Sequence, residues 1–97
     1  MRYLIVLAPE AIEDLRSLTA NLRAQVRDAI EMHLRHEPEK VSRSRIKRLR
    51  GIRLRRYRLR IGDIRVFYEV SNRTVEILAI VEKSEAQKWL AQSGSLE

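Results

Sequence analysis

The stretch from residue 54 to residue 70 constrains the fold of this chain more than any other part of the sequence. Its first half alternates apolar side chains with arginines: Tyr57, Leu59 and Ile61 against Arg56, Arg58 and Arg60. Alternation resumes from Ile64 to Val70, after Gly62-Asp63, a dipeptide typical of a tight hairpin turn. Because successive side chains of a strand point to opposite faces, the stretch predicts an antiparallel hairpin with one apolar face. We call the opposite face, which bears Arg56, Arg58 and Arg60, the arginine face.

The residues before this hairpin predict a strand and two helices. Residues 3–7 are aliphatic or aromatic and end at Ala8-Pro9, which predicts a short strand. Pro9 suits the first turn of a helix, and the acidic residues that follow it favour the same helix start. A second helical periodicity runs from Leu22 to Leu34 and ends before Pro38. The two helices are expected to pack as a hairpin.

The residues after the hairpin predict one more strand and one more helix. Residues 75–81 are apolar on both faces, which is typical of a central strand. Residues 84–92 predict a short helix that docks Trp89 and Leu90 on the sheet, and residues 93–97 are expected to form a loose tail. The predicted order is β-α-α-β-β-β-α over a single domain, residues 1–97. This is an α+β fold, in which the helices pack on one side of a small, mostly antiparallel sheet.

Positive charge is concentrated in one segment. The net charge is +7, and residues 42–65 hold eleven of the twenty Lys and Arg residues, with Asp63 as the only acid. Ten of the eleven are arginines, whose planar guanidinium binds phosphate through two hydrogen bonds. Like charges facing each other on adjacent strands destabilise a sheet by up to about 1 kcal/mol per pair. A polyanion-binding surface is therefore favoured over the alternative, a merely solvated face.

Other side chains offer little chemistry. Alternation places Tyr57 and Tyr68 on the apolar side and Phe67 on the arginine face, where it either stacks on a base or packs. His33 and His36 have a spacing that suits a metal, but no carboxylate or cysteine group accompanies them, so packing or exposure is favoured. The sequence indicates no metal site and no small-molecule cofactor.

The apolar runs are short. None approaches the roughly 20 residues needed to cross a bilayer. The few apolar residues before Ala8-Pro9 fall below the roughly 7–15 of a signal-peptide core. Cysteine is absent. These features predict a cytoplasmic protein with no membrane partner.

Four motifs and the order of elements resemble the RelE/ParE superfamily of bacterial toxins from type II toxin–antitoxin systems. The motifs are RLRG at residues 48–51, YRLR at 57–60, GDIRVFY at 62–68 and EKSE at 82–85. The resemblance spans nearly the whole chain and implies two different activities. RelE-like members cut mRNA in the ribosomal A site, and ParE-like members poison DNA gyrase. The arginine density favours the RelE-like activity, and a degenerate toxin that only binds its antitoxin or RNA is a third alternative.

The resemblance to the RelE-like branch also implies roles for residues. It places Arg58, Arg60 and Arg65 around the scissile phosphate, and Lys83 near a further cationic position of the family. Gln87 stands where the branch has a tyrosine. The expected reaction is metal-independent attack by the RNA 2′-OH, for which Lys47 or Lys83 is a candidate acid or base because arginine stays protonated. Seven further cations of residues 42–65 are the predicted RNA-binding residues: Arg45, Lys47, Arg48, Arg50, Arg53, Arg55 and Arg56.

The partners that the resemblance implies are macromolecules. They are mRNA, the ribosomal A site and a cognate acidic antitoxin of the RelB type. The antitoxin also has a physical basis, since a strongly basic sheet face attracts an acidic amphipathic segment.

Overall fold

The computed structural model describes residues 1–51 and 55–97, and the predicted α+β class and order of elements are confirmed. The helices are α1 (Pro9–Ser17), α2 (Ala20–Leu34) and α3 (Ala86–Ser93), the last preceded by a 3₁₀ turn at Lys83–Glu85. The strands are β1 (Leu4–Leu7), β2 (Ile46–Arg48), β3 (Arg50–Gly51), β4 (Arg56–Ile61), β5 (Ile64–Ser71), β6 (Thr74–Glu82) and β7 (Ser95–Leu96). The short strands β2, β3 and β7 are additions to the predicted order.

The main sheet has five strands in the order β1-β6-β5-β4-β2. β1 runs parallel to β6, and all other neighbours are antiparallel. The predicted hairpin is β4–β5, with Gly62 in the turn at a φ of 56°, a left-handed conformation that glycine adopts without strain. Its register places Arg60 opposite Arg65 and Arg58 opposite Phe67.

The helical hairpin covers one face of this sheet and forms the larger core. The buried members from α1 and α2 include Leu15, Val26 and Leu34, which pack on apolar residues of β4, β5 and β6. Thr19 caps α2 by accepting a hydrogen bond from the Leu22 N–H, so the helix starts where the chain leaves α1. Alternation along the strands therefore buries the apolar face as predicted.

The third helix packs on the opposite face, so the prediction that all helices lie on one side is wrong. A second core joins α3 to the arginine face: Leu49, Phe67, Ala79, Ala86 and Leu90, with Val81 and Trp89 at its border. β6 is apolar on both faces, and β5 adds Phe67 to the second of them, so this face needs a cover of its own. Phe67 is fully buried and stacks on Trp89, with ring centroids 4.4 Å apart. It is therefore a packing residue and is not available to stack on a base.

The C-terminal residues are not a loose tail, in contrast to the prediction. β7 pairs with β3, with Arg50 opposite Leu96 and Gly51 opposite Ser95. The two backbones approach so closely at Gly51 that a Cβ there would lie 2.3 Å from the Gly94 carbonyl oxygen. Only glycine permits this approach.

The helices of the described residues are too short or too polar to cross a membrane.

A candidate phosphate-binding site on the arginine face

The centre of the candidate site is a group of three arginines on the β4–β5 hairpin. Arg60 and Arg65 face each other across the two strands, and Arg58 lies two residues before Arg60 on β4. Arg65 is only 6% exposed, and this burial lowers its pKa below the usual range for arginine. The positive charges of Arg58 and Arg60 lower the pKa of Arg65 further. The positive charges of Arg58 and Arg60 therefore act on the buried Arg65.

The three arginines differ in what holds them. Arg65 Nη1 donates hydrogen bonds to the carbonyls of Gly62, at 2.8 Å, and of Ile64, at 3.1 Å. These backbone contacts fix the side chain without neutralising its charge. Arg60 is exposed, and its side chain forms no ion pair or hydrogen bond with any other residue that the structure describes.

Arg58 is paired with a carboxylate at the C-terminal end of the chain. Its Nη1 lies 2.5 Å from Oε1 of Glu97, and only 12% of the Arg58 side chain is exposed. Its Nε is buried and has no hydrogen-bond partner within residues 1–51 and 55–97. The predicted triad therefore has one uncompensated exposed arginine, one buried arginine held by carbonyls and one arginine neutralised by an acid.

Lys83 lies at the end of the sheet where the hairpin turns. Its backbone N–H donates to the carbonyl of Asp63 at 2.7 Å. Lys83 is exposed and lines a shallow cleft together with Asp63, Glu82 and Ser84. This is the end of the hairpin that carries Arg60 and Arg65. Its catalytic role stays a prediction.

The predicted RNA-binding residues do not share one surface. Lys47 is exposed and stands opposite Arg58 in the sheet, so it belongs to the arginine face. Arg48 stands opposite Tyr57 and therefore points to the other side. Arg45 is exposed beside the end of α2, where it lines a shallow depression with His33. Arg53 lies outside the described residues.

Two more of these arginines, Arg50 and Arg56, contact the C-terminal part of the protein. Arg50 Nη2 donates to the backbone carbonyl of Glu97 at 3.2 Å. Arg56 lies 3.5 Å from the Glu69 carboxylate and 5.9 Å from the centre of the Trp89 ring, and its Nη1 donates to the Ser93 carbonyl and the Ser95 hydroxyl at 3.3 Å. Arg56 thus joins β4 to α3 and to β7. Binding of RNA by these side chains stays a prediction.

Arg55 is held by an acid that the sequence analysis does not single out. Glu39 accepts hydrogen bonds from Arg55 Nε and Nη2, both at 3.0 Å, and from the Tyr57 hydroxyl at 2.9 Å. Burial alone would raise the pKa of Glu39, but these hydrogen bonds and the charges of Arg55 and Arg48 outweigh it and lower the pKa. The Glu39 carboxylate thus holds Arg55 and Tyr57 at the start of β4. No periodic pattern marks it, since it lies in an irregular connector.

Solved structures of toxin–antitoxin complexes share this fold. The chain is similar to the RelBE2 toxin–antitoxin complex from Mycobacterium tuberculosis, at 26% identity and a TM-score of 0.70, over 84% of this chain and 99% of that one. The RelB–RelE complex from Methanococcus jannaschii has 19% identity and a TM-score of 0.67, over 87% and 96%. The intact RelBE complex of E. coli has 19% identity and a TM-score of 0.52, over 82% and 95%. The fold therefore places the chain in the RelE/ParE class of toxins.

The family model described as the ParE toxin of the type II toxin–antitoxin system parDE matches residues 5–87. The chain belongs to this toxin family. No curated protein matches the sequence closely enough to add a relative.

Proposed function

We propose that this toxin is an mRNA endonuclease that acts in the ribosomal A site and thereby inhibits translation. The observation that carries the proposal is the opposition of Arg60 and Arg65 across the β4–β5 hairpin, with Arg58 beside them. Cleavage of an RNA phosphodiester passes through a phosphorane with two negative charges. Preorganised cations stabilise that charge without having to reorganise during the reaction, which is usually the largest single contribution to catalysis.

The reaction that fits this site is transesterification within the RNA. The 2′-oxygen of one nucleotide attacks the adjacent phosphorus and loses its proton to a base. The bond from phosphorus to the 5′-oxygen of the next nucleotide breaks, and that oxygen takes up a proton. The products are a 2′,3′-cyclic phosphate and a 5′-hydroxyl.

The arginines supply charge but not proton transfer, because a guanidinium stays protonated in proteins. Two lysines flank the site. Lys47 stands opposite Arg58 on β2, and Lys83 lies at the hairpin turn. A lysine donates a proton in its charged form and accepts one in its neutral form. We assign acid–base chemistry to these two residues, with help from ribosomal groups.

Gyrase inhibition is the second candidate, because the family model that matches the chain carries the ParE name. This function needs a protein-binding surface and no phosphate chemistry. It leaves the close opposition of Arg60 and Arg65, which costs stability, without a role. The endonuclease is therefore preferred.

The two functions are separated by adding the purified toxin to a translation reaction and mapping the mRNA by primer extension. An endonuclease produces cuts in phase with codons, and only on translated message. A gyrase inhibitor leaves the mRNA intact and inhibits DNA supercoiling in a parallel assay. Intact mRNA together with normal supercoiling points to a degenerate toxin and contradicts both candidates.

The partner that we propose is an acidic antitoxin, as the similar RelB–RelE structures are complexes with RelB. The exposed cations Arg60 and Lys47 give the arginine face the charge that an acidic chain complements.

We expect antitoxin affinity to fall steeply as salt rises from 50 to 500 mM, because exposed charges more than about 10 Å apart are screened at 0.1 M salt. Calorimetry at several salt concentrations checks this expectation. An affinity that does not change with salt contradicts an interface dominated by charge.

A further inference from the structure

We propose that Leu96 and Glu97 form a built-in cover of the phosphate site, and that the Glu97 carboxylate takes the place of a substrate phosphate on Arg58. Substrate RNA and this carboxylate then compete for the same guanidinium. The inference rests on the proposed phosphate-binding function of the arginine face and adds regulation of that site.

The contacts of Glu97 place it inside the candidate site. Its side-chain oxygen lies 2.5 Å from Arg58 Nη1, and its backbone carbonyl accepts from Arg50 Nη2 at 3.2 Å. Its negative charge also acts on Arg65, where it opposes the effect of Arg58 and Arg60. Glu97 thus contacts Arg58 and the predicted RNA-binding residue Arg50, and its charge acts on Arg65 as well.

The chemistry of the contact resembles that of a phosphate contact. A carboxylate and a phosphodiester both present oxygens that carry negative charge, and arginine binds both through the same N–H groups. The two side chains are largely removed from water, with 12% of Arg58 and 26% of Glu97 exposed. A partly buried ion pair is screened less than an exposed one, so the carboxylate is an effective competitor.

The cover is weakly held beyond this ion pair. β3 and β7 pair over two residues only, whereas an isolated two-stranded sheet is at best marginally stable. Leu96 is 60% exposed and contributes little burial, whereas Ser95 is buried and held by Arg56. Ser95 therefore acts as the anchor, and Leu96 and Glu97 open when Arg58 exchanges Glu97 for phosphate, which breaks the hydrogen bond from Arg50 to the Glu97 carbonyl.

The test compares RNA affinity between wild type and Glu97→Gln, which keeps the shape of the side chain and removes its charge. Fluorescence anisotropy with a short labelled single-stranded RNA gives the dissociation constants. We expect Glu97→Gln to bind about 3- to 10-fold more tightly than wild type, the range that removal of a partly screened competing ion pair produces. The matched control is Asp28→Asn, the same charge change at an exposed position of α2 on the other side of the sheet. Its affinity is expected to stay within about twofold of wild type.

A second measurement follows the cover itself by hydrogen exchange. In wild type, saturating RNA is expected to speed amide exchange in the peptide that contains residues 95–97, and in Glu97→Gln exchange there is already fast. If this peptide stays protected while RNA is bound, the inference is wrong.

The remaining outcomes separate the inference from the proposed function. If Arg60→Ala weakens RNA binding while Glu97→Gln binds like wild type, the phosphate site stands and the cover is wrong. If wild type, Arg60→Ala and Glu97→Gln all bind RNA equally, the phosphate-binding function is wrong and the inference falls with it.

Discussion

Arg60→Ala is expected to lower the rate of mRNA cleavage about 100- to 1,000-fold, the loss that removal of one transition-state donor typically causes. Among Arg58, Arg60 and Arg65, Arg60 is the exposed one, and it stands opposite Arg65 in the register of the hairpin. No acidic residue among those described neutralises its charge, so the guanidinium is available to bind a phosphate. Within residues 1–51 and 55–97, its side chain makes no hydrogen bond or ion pair that the fold would lose.

The measurement is single-turnover cleavage of a translated message, quantified by primer extension, together with the thermal stability of the variant. We expect the stability to stay the same or rise by up to about 1 kcal/mol, because the substitution removes a repulsion with Arg65. Arg27→Ala is the matched control, since it removes the same charge from an exposed position on α2. Cleavage by Arg60→Ala at the rate of the control would remove the arginine group from the mechanism.

Arg65→Ala is a weaker test of the same mechanism, although its effect on cleavage is expected to be as large. Arg65 is buried, and its Nη1 binds the carbonyls of Gly62 and Ile64 at the hairpin turn. Loss of these hydrogen bonds leaves carbonyls without partners and destabilises the turn. A fall in activity would then mix lost catalysis with lost structure, which Arg60→Ala avoids.

The β4–β5 hairpin was predictable from the sequence because its signals are local. Alternation with a period of two identifies the strands, and Gly62-Asp63 identifies the turn. Once both are known, the register follows, and it places Arg60 opposite Arg65. The centre of the candidate site is therefore a consequence of about ten consecutive residues.

The rest of the site depends on contacts between residues far apart in sequence. Glu97 reaches Arg58 across 39 positions, and Arg55 reaches Glu39 across 16. No periodic pattern marks either acid, since each lies outside the helices and strands that periodicity identifies. The packing of α3 on the arginine face was not predicted. The apolar pattern of a short helix is the same whichever face of the sheet the helix covers. Only the apolar character of both faces of β6 pointed to a second cover.

That second cover gives the largest stability effect that we expect. Phe67→Ala should lower the free energy of unfolding by about 3–5 kcal/mol, as is typical for a buried phenylalanine. Phe67 is fully buried, and its ring stacks on Trp89 at 4.4 Å with an interplanar angle of 7°, which adds about 0.5–1.5 kcal/mol to the effect of burial. Urea unfolding followed by circular dichroism measures the change.

Leu4→Ala provides the control for Phe67→Ala. Leu4 is an apolar residue in the same sheet, but 61% of it is exposed. Its replacement should change the free energy of unfolding by less than about 0.5 kcal/mol. If Phe67→Ala does not fold, Phe67→Leu retains most of the buried volume and should cost about 1–2 kcal/mol. A cost below about 1 kcal/mol for Phe67→Ala would mean that α3 is not held by the second core. Arg56, which links β4 to α3 and to β7, would then be the main attachment of the C-terminal segment to the sheet.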